Sequence, residues 1–300
     1  MANVIKIKKG LDINLKGKAS DVLLNGGKSE SYAIVPDYYN GILPKVVAKV
    51  GEKVKAGSVL MIDKNRPEIK FVSPVSGEVT AVNRGEKRKV LSIVVKPDAQ
   101  IEYEEFGKKN VASLQGAEVK EVLLNAGMWP FIKQRPYDIV AAPLDTPRDI
   151  FVSAFYSAPL APNFDFIVKG QEADFQTGLN ALAKLTNGKV YVGVRSGSVV
   201  SGMKGVEIVE VEGPHPAANV GVQINHIKPV NKGEVVWTVN PADVIVIGRL
   251  FNKGVADFSR MVAITGSETT ERGYVKTISG CTIKSLVNGK VLGQEHIRII

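Results

Sequence analysis

Apolar positions along this chain change their period three times, and each change marks a shift in architecture. Near the N-terminus, Val4, Ile5 and Ile7, then Leu11, Ile13 and Leu15, recur close to every second residue, which predicts short strands in an extension over residues 1–35. From about residue 36 to 100 the pattern is short apolar runs between glycine turns, closing with Glu78–Val82 and Val90–Val95. Beyond an acidic, polar stretch (98–109), a helical period appears. Ser113 is positioned to cap a helix carrying Leu114, Ala117, Val122 and Leu123 on one face, with Gly127 closing it. A second amphipathic helix is expected over 173–185. Strands are expected at 139–142, 150–154, 164–168, 189–194, 206–211 and 244–248. Helices alternating with apolar strands predict an α/β layer with some parallel pairing over 101–255. From 256 to 300 the pattern returns to short strands and turns, at 261–266, 273–277 and 279–281, and reads as a small β-rich module. The last run, Ile297–Ile300, ends in mid-strand, which predicts that the sequence is C-terminally truncated.

The stretch from Val50 to Val79, VGEKVKAGSVLMIDKNRPEIKFVSPVSGEV, is the most specific local signal. Gly51, Val54 and Gly57 fill one turn and Pro74 and Gly77 a second, the paired half-motifs of a biotinyl/lipoyl-like β-hammerhead. Glycine suits such corners because it tolerates positive φ, and proline presets its own. Counting back from Pro74, the hairpin position that carries the cofactor lysine in such domains falls on Arg66. A guanidinium stays protonated and is not acylated, so a carrier with a swinging arm is excluded at this position.

Composition narrows the function classes. The single cysteine, Cys281, rules out a disulfide framework and a four-thiolate cluster from this chain alone, and no basic residue beside it marks it as a nucleophile. The basic N-terminal residues lead into no apolar core of a signal peptide. The longest uncharged stretch, Ile150–Phe164, is too short for a membrane span and holds two prolines, so a soluble chain is expected. The net charge of +9 is densest in the first hundred residues. Those lysines alternate with Val, Ile and Gly and not with aromatics, so they read first as a solvated surface, and as a face toward acidic partner subunits or anionic lipid headgroups ahead of nucleic acid. His215, His226 and His296 have no zinc spacing, so no metal site is expected. The turn at Val192–Ser198 lacks the order of a phosphate loop.

Two segments carry candidate chemistry. Met128–Tyr137 packs Trp129, Phe131 and Tyr137 with Lys133 and Arg135 into ten residues. It reads either as a wedge between domains, with Arg135 tied to a carboxylate, or as a flat-ligand site whose rings sandwich a ring system while Lys133 or Arg135 holds its oxygens. Glu212–Gly221 holds His215 between two prolines at the carboxyl end of a strand. There His215 and Asn219 are candidates for ligand or partner contact.

This loop also carries a resemblance. GPHPAANVGVQINHIKPV, followed by VVWTVNPADVIVIGRLF, is similar to the A subunit of bacterial sodium-translocating NADH:quinone oxidoreductases. IKIKKGLDINLKG, the Trp129–Pro136 motif and DTPRDIFVSAF (Asp145–Phe155) resemble the same family, and the likeness extends over essentially all 300 residues. It implies a multidomain α+β and α/β protein: the hammerhead, a Rossmann-like domain, the start of a small β-grasp (SLBB-like) module, and a further helical part absent here. It also implies a peripheral subunit on the cytoplasmic side of the inner membrane, docked on integral membrane and flavin-bearing subunits. Relatives in respiratory complex I use a glycine-rich flavin loop and four cluster cysteines, which this chain lacks. The resemblance therefore implies no covalently bound cofactor, with NAD and FMN belonging to the complex and quinone a candidate ligand at Trp129, Phe131, Lys133, Arg135 and Tyr137. An unmodified carrier, or an Rnf-type electron-transport subunit, is the alternative.

Overall fold

A computed structural model describes residues 3–293 and 297–299. The first 35 residues supply one strand to each of three different sheets: β1 (Asn3–Lys6), β2 (Leu23–Leu24) and β3 (Tyr32–Ile34). Six strands follow: β4 (Pro44–Val46), β5 (Lys53–Val54), β6 (Val59–Asp63), β7 (Lys70–Val72), β8 (Gly77–Arg84) and β9 (Val90–Pro97). They form a four-stranded sheet of order β3-β9-β8-β5 and a three-stranded sheet of order β4-β6-β7. Alternation along these strands buries Leu60, Ile69, Val79, Ile93 and Val95. The turn glycines lie where the sequence places them, with Gly51, Gly57 and Gly77 at positive φ. At Gly77 a Cβ would stand 1.9 Å from the Lys96 carbonyl oxygen, so the corner admits no side chain.

The next part contains α1 (Gly116–Asn125), β10 (Ile132–Arg135), β11 (Ile139–Val140), β12 (Ile150–Ser153), α2 (Phe164–Val168), α3 (Glu172–Ala183), β13 (Val190–Val194), β14 (Glu207–Glu212), α4 (Val220–Ile227), β15 (Val236–Val239) and α5 (Pro241–Lys253). Its seven-stranded sheet has the order β1-β14-β13-β12-β15-β10-β11. β1, β14, β13, β12 and β15 run parallel, and the β10–β11 hairpin closes one edge antiparallel. The last part holds β16 (Ser259–Ile264), β17 (Gly273–Ile278) and α6 (Ile283–Val287); β16 and β17 form a three-stranded sheet with β2.

The structure corrects several sequence expectations. Val244–Gly248 is not a strand but the middle of α5. Asn240 caps this helix by accepting from the Ala242 amide, Pro241 begins it, and Gly254 ends it in the left-handed conformation. Val244–Ile247 are four consecutive β-branched residues, which gives the run its strand-like reading, and all four are buried in the helix. Close packing explains its glycine: a Cβ on Gly248 would lie 1.7 Å from the Asp174 carbonyl oxygen of α3, and one on Gly178 would lie 2.1 Å from that of Val244. Phe164–Val168 is likewise a short helix capped by Asn163, with Phe164, Ile167 and Val168 buried at helical spacing. The cap of α1 is Gln115, in a reciprocal box with Glu118, and not Ser113. Cys281 forms an isolated bridge to Tyr32 and no strand of its own. Residues 297–299 are not strand, while Ile300 and His296 lie outside the described residues.

Candidate site at the junction of three modules

A 3₁₀ turn over Trp129–Phe131 connects α1 to β10, which lies beside β15, so Trp129 and Phe131 leave the turn in different directions before the strand begins. Trp129 points inward. It is fully buried, donates from Nε1 to the Ala141 carbonyl at 2.8 Å, and meets Trp237 edge-to-face at 5.3 Å. Phe131 and Lys133 instead face a cavity of about 300 Å³ where the first sheets, the α/β part and β16 converge. Its walls include Tyr39 and Phe71, whose rings meet edge-on at 4.7 Å, and Phe258, 6.1 Å from Phe131.

Three charged groups line the same cavity. Arg260 Nη2 bonds Asp243 Oδ1 at 3.0 Å, and the guanidinium lies 6.0 Å from the Phe131 centroid. Lys133 Nζ sits 5.3 Å from the Tyr39 centroid. Arg260 Nε is buried without a hydrogen-bond partner. Burial raises the Asp243 carboxyl above its ordinary value, against the charges of Arg260 and Lys133. It lowers the Lys133 ammonium, against Asp138 and Asp243. The Tyr39 phenol is pushed up to about 12, by burial first and then by Asp243. The cavity thus has apolar ring faces, two cationic donors and one carboxylate. That set suits a flat molecule bearing oxygen acceptors.

The other sequence candidates lie elsewhere. Arg135 pairs with Asp138 at 3.4 Å on the far end of β10, and Tyr137 is 81% exposed beyond it. His215 Nδ1 shares a 3.0 Å hydrogen bond with Ser157 Oγ, and its amide donates to Asp12 Oδ1. Asn219 stands at the exposed N-cap of α4. Hence five proposed ligand residues divide into two that line the cavity, one behind it and two away from it. Tyr39, Asp243 and Arg260 were not legible as site residues because they are scattered over more than two hundred positions. Asp243 in particular precedes a run that reads as a strand, and only the structure places it in the first turn of α5.

Arg66 is a latch. Its Nε donates to Asp63 Oδ2 at 2.8 Å, Nη1 to the Val140 carbonyl at 3.1 Å and Nη2 to the Gly41 carbonyl at 2.9 Å. The hairpin tip that presents a mobile lysine in carrier domains is here fastened to the α/β part. Among the described residues no group of three or more His, Cys, Asp and Glu side chains converges, and no helix is long and apolar enough to cross a membrane.

Two compact β-sheets fastened on an α/β domain, with a third β-rich part closing a charged aromatic cavity, define a multidomain α/β protein. Family models match in the same order: the NqrA N-terminal barrel-sandwich hybrid domain over 5–98, the NqrA second alpha/beta domain over 114–256, and the NQRA C-terminal domain, of SLBB type, over 261–300. The Na(+)-translocating NADH-quinone reductase A subunit of Hahella chejuensis is 37% identical over 99% of this chain and 67% of its own length. Those of Neisseria meningitidis (35%, 98% and 66%) and Photorhabdus laumondii (36%, 99% and 67%) are comparable. This chain belongs to the NqrA family, the A subunits of Na(+)-translocating NADH-quinone reductases. It spans about two-thirds of the length of these relatives. An NAD+-reducing [NiFe]-hydrogenase aligns over 65% of this chain and 45% of its own at 9% identity and a TM-score of 0.37, too low to bear on the fold.

Proposed function

We propose that this chain acts as the peripheral A subunit of a sodium-pumping NADH:quinone oxidoreductase on the cytoplasmic side of the bacterial inner membrane. In this reading it docks on the integral membrane and flavin-bearing subunits and receives quinone in the three-module cavity, while NAD and FMN stay with the rest of the complex. The observation that carries the quinone assignment is the meeting of Phe131, Tyr39 and Phe258 with Lys133 and Arg260 around one cavity. Ring faces would stack on the quinone, and the cations would donate to its carbonyl oxygens, where charge develops on reduction. The Arg260 guanidinium at the cavity wall is one such cation. Of the site residues named from sequence, Phe131 and Lys133 are the contacts, Trp129 their packed support, and Arg135 and Tyr137 outer neighbours. The loop of His215 and Asn219 is read as a partner contact.

The same reading takes the α/β part as Rossmann-like and the last part as the start of a β-grasp module. The order β14-β13-β12-β15, with the first strand inside the sheet, supports the former. Photolabelling with an azido-quinone followed by peptide mapping tests the site. Labels on residues 33–39, 71–74, 127–133, 243, 258–260 or 279–280 support it; labels confined to other segments, or none competed by unmodified quinone, overturn it.

A further inference from the structure

Residues 8–18, between β1 and β2, are held by their backbone and leave their aliphatic and lysine side chains largely exposed. Ile7 donates to Glu212, the Leu11 amide donates to the His215 carbonyl at 3.0 Å, and Gly266 donates to the Gly17 carbonyl at 2.8 Å. Asp12, the one carboxylate within residues 8–18, is taken up by the His215 amide at 2.8 Å. Between these anchors Leu11, Ile13 and Leu15 are 69%, 54% and 54% exposed, and Lys8, Lys9, Lys16 and Lys18 flank them, also exposed. A cavity of about 380 Å³ lies between the arm, which lines it with Asp12–Leu15 and Lys18, and the Ala158–Pro162 loop, with Arg195 at its side; Leu11 lies outside it.

We propose that this arm is a membrane-surface contact, inserting Leu11, Ile13 and Leu15 among anionic phospholipid headgroups while the four lysines bind their phosphates. Leu11, Ile13 and Leu15 stand at alternate positions of an anchored strap, so an apolar environment that covered them would gain the burial free energy of three aliphatic side chains together. The composition identifies what covers them. Protein interfaces concentrate aromatics and Arg and are poor in Lys, whereas residues 8–18 contain four lysines and no aromatic. Lysine stems lie along apolar surface with the ammonium at the headgroup level, the arrangement an anionic bilayer accepts. The arm has no length to span a membrane and is fixed at both ends, so it can only lie on one. The identity of that membrane rests on the proposed peripheral role, whereas the arm's affinity for anionic lipid does not.

Flotation of the purified chain with protein-free vesicles tests this, because the vesicles contain neither quinone nor partner subunits and their result is independent of the cavity assignment. The chain should float with equal parts phosphatidylglycerol and phosphatidylcholine, should remain behind with phosphatidylcholine alone, and should be released by salt. Each lysine replaced by Gln should weaken binding roughly fivefold, so K8Q/K9Q/K16Q/K18Q should lose more than a hundredfold. Leu11→Ser with Leu15→Ser should lose about tenfold at unchanged charge. These side chains are exposed, so unchanged tryptophan fluorescence verifies that the variants are folded. No flotation, equal flotation with neutral vesicles, or flotation indifferent to these substitutions overturns the proposal. So does retention only on native membranes that disappears after protease treatment, which would assign the arm to a protein partner.

Discussion

Replacing Arg66 with Ala tests whether the hairpin is held as a latch. Asp63 is 1% exposed on its side chain and Arg66 21%, so the substitution leaves a carboxylate in a nearly dry site. Breaking a buried pair by removing one partner costs about 3–5 kcal/mol. Asp63 Oδ1 still accepts from the amides of Leu43 and Asn65, both at 3.1 Å, which lowers the expected loss to about 2–4 kcal/mol. Arg66→Lys restores a charge but cannot reach Asp63, Val140 and Gly41 together, so it should recover only about half of that. Because three modules share the chain, a single unfolding midpoint is ambiguous, and amide hydrogen exchange is the better assay. Protection of the Leu43, Asn65 and Ile69 amides should fall about 30- to 1,000-fold in the Ala variant. In a cycle with Asp63→Asn, the coupling should exceed about 1 kcal/mol. A protection change below about twofold, or additive single effects, would refute the latch and reopen a mobile hairpin.

Other predictions follow from packing and titration. Gly248→Ala should destabilise by about 2–4 kcal/mol in urea unfolding followed by Trp fluorescence, because the new Cβ drives α5 away from α3. Asn240→Ala should cost about 1 kcal/mol in the same assay through loss of the α5 cap, and more if the Tyr156 hydroxyl, 3.2 Å away, is left unpaired. Burial alone would raise the Asp257 carboxyl, but Ser259, Arg249 and Lys253 outweigh it and hold it down at about 2. Its folded value lies below its unfolded one, so its stabilisation is full above the ordinary carboxylate range and is lost as pH falls toward 2. Wild type should therefore lose roughly 1–2 kcal/mol more than Asp257→Asn across that window, after allowing for screening.

The barrel-like N-terminal part was legible because its turns need glycine and proline at fixed spacing, and Gly51, Gly57 and Gly77 take positive φ in place. The α/β character was legible from β12, β13 and β14. Helices α2 and α5 were not, because α2 is only five residues long and the Val244–Ile247 run of α5 is β-branched throughout and reads as strand. The caps Asn163 and Asn240 with Pro241 were the available signal, outweighed by Val244–Ile247. Strand β15 is four residues long and α4 only eight, too short for periodicity to speak. No sequence pattern could show that the first 35 residues serve three sheets, since parallel pairing with β14 and β17 is purely tertiary. The candidate site followed the same rule. The aromatic and basic residues of Trp129–Tyr137 were visible together, but the 3₁₀ turn over Trp129–Phe131 sends Trp129 inward and leaves Phe131 and Lys133 to the cavity.

Titration of a water-soluble short-chain quinone, read by calorimetry against the wild type, Phe131→Ala, Arg260→Gln and Tyr137→Ala, tests the quinone assignment most directly. The cavity account predicts saturable binding weakened about tenfold by each of the first two substitutions and unchanged by the third, whose side chain is exposed outside the site. No saturable binding, or binding sensitive to Tyr137 and indifferent to Phe131 and Arg260, would contradict it.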